Sequence, residues 1–260
     1  DNIVYISYLT VNPTKDEINN YMKEISTEIM DANSQIWFLG RMTEFIDTKS
    51  LPSNFFTFNS ISDLVKKAGR IEIEIVLLLG KQMIQRLRTL HNHFLLHRDI
   101  KPQNFMLNVT TNKLYLIDFG FCKRYNYDGK HIEQGIISKL IGTPNFVSIN
   151  VHKGIEPSRR DDVESCIYII IYMLFGKLSW GKETDIKNMG LKKEQLTNSE
   201  KPIIPEFLKQ LLFYVRTLEF DESPDYDEII KVFDTVYKDM GFISAADSFA
   251  NLDDEVSDLE

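Results

Sequence analysis

The sequence predicts an α+β fold, in which a small β-rich N-terminal part precedes a larger, mainly helical part. Short runs of β-branched and aromatic residues at 2–11, 35–46 and 54–58 predict strands. From Ser60 onward, apolar residues instead recur at the spacing of helices. The chain has 260 residues, of which 43% are hydrophobic. It is therefore long enough to bury a substantial core.

The N-terminal part contains one predicted helix, at 15–30, between the first two strands. Its apolar residues fall on one stripe, as in an amphipathic helix. Thr14 can cap this helix, with Glu17 three residues later as its capping-box partner. Pro52 separates the second strand from the third. A small sheet with one helix is all that this part can supply.

The helical part is predicted to contain several helices joined by loops. The predicted helices cover 61–68, 71–92, 161–175, 204–218 and 225–240. Gly69 closes the first of them. The helix at 161–175 is apolar nearly all round, which predicts that it is buried. The polar segment 121–138 is predicted to be a mobile loop, and the Lys-rich segment 180–202 is predicted to be irregular.

The C-terminal end is acidic. Residues 247–260 contain six acids and no Lys or Arg, a composition typical of a disordered tail. The predicted boundaries are 1–58 for the N-terminal part, 59–242 for the helical part and 243–260 for the tail.

Composition excludes several classes of protein. The formal net charge of -8 argues against a general nucleic-acid binder. Cys122 and Cys166 form no disulfide or metal pattern, so we expect free thiols in a reducing compartment. The apolar run 167–175 is far shorter than the ~20 residues that a membrane-spanning helix needs. His91 and His93 lie on different helix faces, which argues against a metal pair. We expect a monomer in the cytoplasm and/or nucleus, with no nucleic-acid or membrane partner.

Two short motifs carry the chemistry. Residues 97–104 are His-Arg-Asp-Ile-Lys-Pro-Gln-Asn, and residues 118–120 are Asp-Phe-Gly. Apart from one Leu-to-Ile change, the first resembles the catalytic loop of protein kinases, and the second resembles their magnesium-binding loop. The connection 105–117 fits two short strands and a turn at Asn112. Either motif alone is weak evidence, but both in this order are specific.

The residue types suit phosphoryl transfer, which depends on positioning and charge stabilisation. Asp99 would accept the proton of a hydroxyl nucleophile, and Lys101 could reach the transferred phosphate as a point charge. Asn104 and Asp118 offer the oxygen ligands that Mg²⁺ prefers. Asp99, Lys101 and Asn104 are therefore the candidate catalytic residues. Asn104 and Asp118 are the candidate metal ligands.

Residues 60–242 resemble the casein kinase 1 family of serine/threonine kinases. Beside the catalytic loop, the resemblance depends on four strings: Leu140-Ile141-Gly142-Thr143, Val147-Ser148-Ile149-Asn150, Ser158-Arg159-Arg160-Asp161-Asp162, and Phe220-Asp221 followed by Pro224-Asp225-Tyr226. Most kinases have Ala-Pro-Glu where this chain has Ser-Ile-Asn, which makes the resemblance rather specific. It implies a protein kinase-like fold, with a mainly helical C-lobe and a truncated, small β-rich N-lobe.

The resemblance also implies a function. The chain would transfer the γ-phosphate of ATP to protein Ser and Thr hydroxyls, with ATP and Mg²⁺ as cofactors. Its protein substrates would be acidic or pre-phosphorylated. Met106 and Ile117 would floor the adenine pocket, and Phe56 and Thr57 would belong to the hinge. Alternatively, these apolar residues are simply core.

Further roles follow from the same resemblance. Asp162 would be buried and would hold the catalytic-loop backbone, although an exposed acid at a helix N-terminus is the alternative. Arg159 and Arg160 would form part of an anion site for a phosphorylated substrate, or would only pair with neighbouring acids. The candidates for a further basic residue of that site are Lys187, Lys192 and Lys193.

The N-terminal part departs from the kinase pattern. The chain contains no G-x-G and no V-A-I-K. Ser7 stands where the strand lysine is expected, and Glu24 is the candidate acid that would pair with that lysine. The chain would then lack the first two strands of the lobe. Two explanations stay open: an active kinase with an incomplete N-terminus, or a catalytically impaired pseudokinase or kinase fragment that acts as a binding module. A small-molecule kinase fits the casein kinase 1 strings less well.

Overall fold

The computed structural model describes residues 4–8, 35–39, 55–108, 111–198 and 203–242, with side chains from residue 58 onward. These residues belong to two compact units. The first unit contains the described residues up to Lys67 together with Pro102–Ile117. The second unit contains Ala68–Lys101 and the described residues from Asp118 onward.

The strands are short. Their bounds are β1 (Val4–Tyr8), β2 (Gln35–Leu39), β3 (Phe55–Ser60), β4 (Leu95–Leu96), β5 (Phe105–Asn108), β6 (Leu114–Leu116), β7 (Lys123–Arg124), β8 (Asn126–Tyr127) and β9 (Lys130–His131). The first unit has a five-stranded sheet in the order β1-β2-β3-β5-β6. Strands β1, β2 and β3 pair in parallel, whereas β3, β5 and β6 pair antiparallel. In the second unit, β4 pairs with β7 and β8 pairs with β9.

Helices dominate the second unit. The helices are α1 (Ile61–Ala68), α2 (Ile73–Asn92), α3 (Ile149–His152), α4 (Arg159–Phe175), α5 (Ile186–Asn198), α6 (Glu206–Thr217) and α7 (Tyr226–Asp239). Five of them fall within two residues of the predicted helix bounds at each end. None of the described helices is both long and apolar enough to cross a bilayer.

The α+β class predicted from the sequence is confirmed, with a sheet near the N-terminus and mainly helices after it. The strands β1, β2 and β3 coincide with the three predicted strand regions. The turn predicted at Asn112 is also present, since this residue has φ 57° between β5 and β6. The predicted helix 15–30, with Glu24, and the predicted acidic tail lie outside the described residues. The three domain boundaries stay a prediction.

Helix α4 is the centre of the second unit. Its side chains from Val163 to Ile171 are all buried, as the all-round apolar pattern predicts. Helix α2 packs against it, and the aliphatic residues Val76, Met83 and Leu87 of α2 have no measurable exposure. Each such side chain contributes about 1.5–3 kcal/mol by burial. Residues 97–101 of this unit therefore lie beside a well-packed pair of helices.

Helix α4 ends at Gly176, which has a left-handed conformation with φ 70°. A Cβ at this position would lie 1.9 Å from the carbonyl oxygen of Gly69. The two glycines bring the chain after α1 against the end of α4, where Ile71 N–H donates to Met173 O at 2.8 Å. Any side chain at 176 would separate these two segments.

The prediction that 180–202 is irregular was wrong, because α5 occupies Ile186–Asn198. Asp185 accepts the Asn188 N–H at 2.9 Å, which caps the helix start. The apolar stripe of α5 is thin, and its buried residues include a glycine and a lysine, Gly190 and Lys193. The usual hydrophobic period is therefore too weak to predict this helix.

The segment 121–138 was predicted as a loop, but part of it is regular. It contains β7, β8 and β9. Tyr125 N–H donates to Phe94 O at 2.9 Å, and Ile132 N–H donates to Tyr125 O at 2.8 Å. Two-residue strands carry too little sequence pattern to be predicted.

Candidate functional site

The backbone at the start of the 97–104 motif is held by Asp162, which is 3% exposed. Its Oδ2 accepts the His97 N–H at 2.8 Å, and its Oδ1 accepts the Arg98 N–H at 3.0 Å. Arg98 has φ 66°, an uncommon conformation for a residue with a side chain. The carboxylate thus supports a backbone turn that is not intrinsically favoured.

A second contact fixes Asp162 itself. His91 Nε2 lies 3.0 Å from Asp162 Oδ2, and His91 Nδ1 lies 2.5 Å from the Tyr226 hydroxyl. Because a carboxylate only accepts, Nε2 donates to Asp162, and Nδ1 forms the second hydrogen bond with the Tyr226 hydroxyl. Burial acts to raise the pKa of Asp162, but the hydrogen bond from His91 and the neighbouring histidines bring it below its ordinary value. The carboxylate is therefore ionised at neutral pH.

Asp99 is the centre of the candidate site, and it is 3% exposed. Lys101 Nζ donates to its Oδ2 at 2.5 Å, and Thr143 Oγ1 donates to its Oδ1 at 2.7 Å. The Asp99 N–H donates to His97 Nδ1 at 3.4 Å. Both carboxylate oxygens are therefore oriented by a polar side chain. Thr143 was not among the predicted site residues; its only signal was its place in the string 140–143.

The segment that carries Thr143 lies directly against the catalytic loop. Gly142 has φ 95°, and a Cβ there would lie 2.5 Å from the carbonyl oxygen of Arg98. Only glycine allows this approach. The close approach brings the neighbouring Thr143 within reach of Asp99.

Asp118 is exposed and has a left-handed backbone with φ 67°. Its carboxylate has no hydrogen-bond or ion-pair partner among the described residues. Gly120 lies close to it, since a Cβ at 120 would be in ordinary van der Waals contact with Asp118 Oδ1, at 3.4 Å. The next residue, Phe119, packs its ring at 5.6 Å from that of His97. The Asp118 carboxylate thus lies at the surface, and the next residue contacts the 97–104 motif.

The other predicted site residues belong to the first unit. Asn104 is 4% exposed and ends a 3-10 turn, and its carbonyl accepts the Ile117 N–H at 3.0 Å. Met106 is 1% exposed and packs with Phe58, with Ile117 at the edge of the cluster. Met106 and Ile117 thus belong to the hydrophobic core of this unit.

Two groups of predicted residues are less fully described. Phe56 and Thr57 lie in β3, where only the backbone is described. Glu24 lies outside the described residues. Within the described ranges, no cluster of three or more His, Cys, Asp or Glu side chains could hold a metal ion.

The arginines predicted for an anion site are engaged with the protein itself. The Arg160 guanidinium is buried and donates to Leu218 O. Arg159 donates to Asp221 O and lies 4.7 Å above the ring of Tyr125. These contacts favour a structural role for both residues; the anion site stays a prediction.

The candidate lysines differ from one another. Lys187 is exposed, and Lys192 Nζ pairs with Glu183 at 2.7 Å. Lys193 has no exposed area, and its Nζ donates to Pro144 O at 2.8 Å and Val147 O at 2.7 Å. Lys193 therefore does not face a substrate, and its part in the predicted anion site was wrong.

Glu156 joins the catalytic loop to the segment after Asp118. Its Oε1 lies 2.8 Å from Lys123 Nζ and 3.6 Å from Arg98 Nη1, and its side chain is 13% exposed. Arg98 Nε also donates to Phe121 O at 2.7 Å. One carboxylate thus balances two cations on two neighbouring segments.

Replacing Glu156 by Gln should lower the free energy of unfolding by about 1–2 kcal/mol, because two partly buried cations lose their carboxylate. Urea unfolding gives this value. Glu228→Gln is the matched control: its pair with Lys231 is 64% exposed on the glutamate side and should contribute about 0.5 kcal/mol or less. Equal losses in the two variants would contradict a special role for Glu156.

His152 should make the folded state sensitive to acid. Burial, and then the nearby Lys193 ammonium, lower its pKa to about 4. An unfolded histidine has a pKa of about 6.5. Between these values the unfolded state binds a proton that the folded state does not, so stability falls as the pH falls through this window. Since the ring is only partly buried, we expect a loss of about 1 kcal/mol between pH 7 and 4.5.

The test is to measure the urea unfolding midpoint of the wild type and of His152→Gln at several pH values between 7 and 4.5. The variant should lose less stability on acidification. His93→Gln, at an exposed histidine, should behave like the wild type. An unchanged pH dependence in His152→Gln would contradict the assignment.

Comparison with known proteins shows which family the chain is similar to. A family profile described as "Protein kinase domain" matches residues 6–232. The chain is 36% identical over 197 residues to casein kinase I homolog 2 of Schizosaccharomyces pombe, covering 70% of this chain and 45% of that protein. It is 34% identical over 207 residues to casein kinase I homolog 3 of Saccharomyces cerevisiae, covering 67% of this chain and 40% of that protein. The chain therefore spans less than half the length of these curated relatives.

Proposed function

This chain belongs to the protein kinase family, in its casein kinase 1 branch, and we propose that it transfers the γ-phosphate of ATP to serine and threonine hydroxyls of proteins. The observation that carries the proposal is the environment of Asp99. Its buried carboxylate is held by Lys101 on one oxygen and Thr143 on the other. A base with a fixed orientation is what in-line phosphoryl transfer requires.

In the proposed mechanism, Asp99 orients the incoming hydroxyl and accepts its proton. Lys101, 2.5 Å from Asp99, places a positive charge beside the point of attack. Thr143 keeps the carboxylate from turning away. When Mg²⁺-ATP is bound, ATP would supply the phosphoryl group and Mg²⁺ would neutralise the charge of the phosphates.

Asp118 and Asn104 are the proposed Mg²⁺ ligands. The fit of Asp118 is supported by its exposed carboxylate, which has no protein partner among the described residues. Hard oxygen ligands suit Mg²⁺, which keeps several waters and needs only one or two protein groups. Asn104 supplies an amide oxygen of the same character, and its assignment rests on the resemblance of the 97–104 motif.

The nucleotide and substrate contacts are finer parts of the proposal. Met106 and Ile117 would contact the adenine, beside the backbone of Phe56 and Thr57. Glu24 would be the acid that pairs with the strand lysine of the N-lobe. Acidic proteins are the proposed substrates on the strength of the casein kinase 1 resemblance. The anion site of Arg159 and Arg160 stays part of the proposal, and each guanidinium also donates to a backbone carbonyl.

The test is transfer of radiolabelled phosphate from ATP to an acidic protein such as dephosphorylated casein, with and without Mg²⁺. Label on serine or threonine after acid hydrolysis, dependent on Mg²⁺, is the expected result. A thermal shift on addition of Mg-ATP should accompany it, because a ligand that binds only the folded state stabilises it. A thermal shift without transfer would favour a binding module. The absence of both transfer and thermal shift would overturn the proposal.

A further inference from the structure

Lys193 is a basic residue completely buried in α5, and burial lowers the pKa of its amine to about 7. It has no exposed area, yet its Nζ has three polar neighbours. It donates to Pro144 O at 2.8 Å and to Val147 O at 2.7 Å, and it lies 2.9 Å from His152 Nε2. An ammonium group has three protons to donate, and each finds an acceptor here.

Aromatic rings complete the surroundings of this ammonium. Nζ lies 4.8 Å from the ring centre of Tyr168 and 5.5 Å from that of Trp180. Both distances are within the range of cation–π attraction. Trp180 is itself fully buried, and its indole N–H donates to Asn145 O at 2.8 Å. Lys193 and Trp180 together bind three backbone carbonyls of the segment 144–147.

The same segment is attached to the catalytic loop at its other end. Thr143 donates to Asp99, and Gly142 lies against the Arg98 carbonyl. Between the two ends, Thr143 O accepts the N–H groups of Phe146 at 2.8 Å and Val147 at 3.1 Å. A tight turn therefore transmits the position of the carbonyls at 144 and 147 to the side chain of Thr143.

We propose that Lys193 is a positioning residue for phosphoryl transfer, which acts by holding the turn 143–147 so that Thr143 stays hydrogen-bonded to Asp99. The proposal rests on the proposed function. Without the ammonium, the part-buried Pro144 carbonyl and the buried Val147 carbonyl lose a donor, and such groups are costly to leave unpaired. The turn then relaxes toward other donors, and the hydroxyl of Thr143 moves away from the Asp99 carboxylate.

The first test is a double-mutant cycle of Lys193→Met and Thr143→Val. Methionine keeps most of the buried volume and removes the donors. Each single variant should lower kcat by about three- to tenfold with an unchanged KM for ATP, as expected for loss of one orienting hydrogen bond. In the Thr143→Val background, Lys193→Met should have less than about a twofold further effect, because both changes break the same connection. Fully multiplicative effects would overturn the proposal.

Lys192→Met is the matched control, since the neighbouring lysine pairs with Glu183 at the surface and is 42% exposed. It should leave kcat unchanged. A loss as large as that of Lys193→Met would show that any lysine change in α5 disturbs the enzyme, and the specific role of Lys193 would be lost.

A second measurement does not need activity. Amide hydrogen exchange at Phe146 and Val147 should be at least about tenfold faster in Lys193→Met, while Gly176, bonded to Tyr172 O at the end of α4, should be unchanged. If the wild type transfers no phosphate, this result still tests the anchoring of the turn, so the two proposals can fail separately. If Lys193→Met does not fold, Trp180→Phe tests the anchoring of the turn, because it removes the hydrogen bond to Asn145 O and keeps an aromatic ring beside Lys193. Unchanged exchange at both amides in the folded variant would overturn the inference.

Discussion

Replacing Asp99 by asparagine is expected to lower kcat for phosphoryl transfer by about two to four orders of magnitude, the usual contribution of a general base. The side chain keeps its size and can still accept the Thr143 hydroxyl, but it can no longer take a proton. Lys101 also loses the carboxylate that it contacts at 2.5 Å. The KM for ATP should change little, since the proposed nucleotide contacts are on other residues.

Transfer of labelled phosphate to dephosphorylated casein is the measurement. Asp227→Asn is the control, because this aspartate is 86% exposed and pairs with Arg88 on the surface. It should retain wild-type kcat. If Asp99→Asn were as active as Asp227→Asn, Asp99 would have no part in proton transfer.

The sequence predicted the short-range features of the candidate site well. The helix bounds and the turn at Asn112 follow from local periodicity and turn chemistry, which act over a few residues. The fixed spacing of the motifs likewise placed Asp99 and Lys101 near each other, since they are two residues apart. Roles in catalysis remain proposals, because no motif alone measures a reaction.

Contacts between distant residues could not be predicted. Thr143 is 44 residues from Asp99, and His91 is 71 residues from Asp162. Nothing local distinguishes these residues from other buried or polar ones. Lys193 is the clearest case, because a lysine in a Lys-rich segment is normally exposed. Its burial depends on carbonyls and aromatic rings supplied by segments 13 to 49 residues earlier in the chain.

Asp162 does more than stabilise the start of a helix. It lies in the first turn of α4, where an acid is favoured by the helix dipole. Its carboxylate nevertheless faces inward, toward the backbone of His97 and Arg98 and toward His91. Tyr226, at the start of α7, is connected to it through His91. Three other segments are thus connected to one buried carboxylate, two of them by direct hydrogen bonds.

Replacing Asp162 by alanine should therefore lower the free energy of unfolding by about 3–5 kcal/mol, the range for removing one partner of a buried charged network. Two backbone N–H groups and the imidazole N–H of His91 would lose their acceptor, and the uncommon backbone of Arg98 would lose its support. Asp162→Asn should be intermediate, because its single carbonyl oxygen can accept at only one of the two positions.

Urea unfolding followed by tryptophan fluorescence suits this measurement, since Trp180 is fully buried. Asp234→Ala is the matched control: its pair with Lys81 is 41% exposed on the aspartate side and should contribute about 1 kcal/mol or less. If Asp162→Ala lost no more stability than Asp234→Ala, the buried carboxylate would not support the catalytic loop. A large loss in Asp162→Ala that His91→Ala does not share would instead assign the support to the two backbone hydrogen bonds alone.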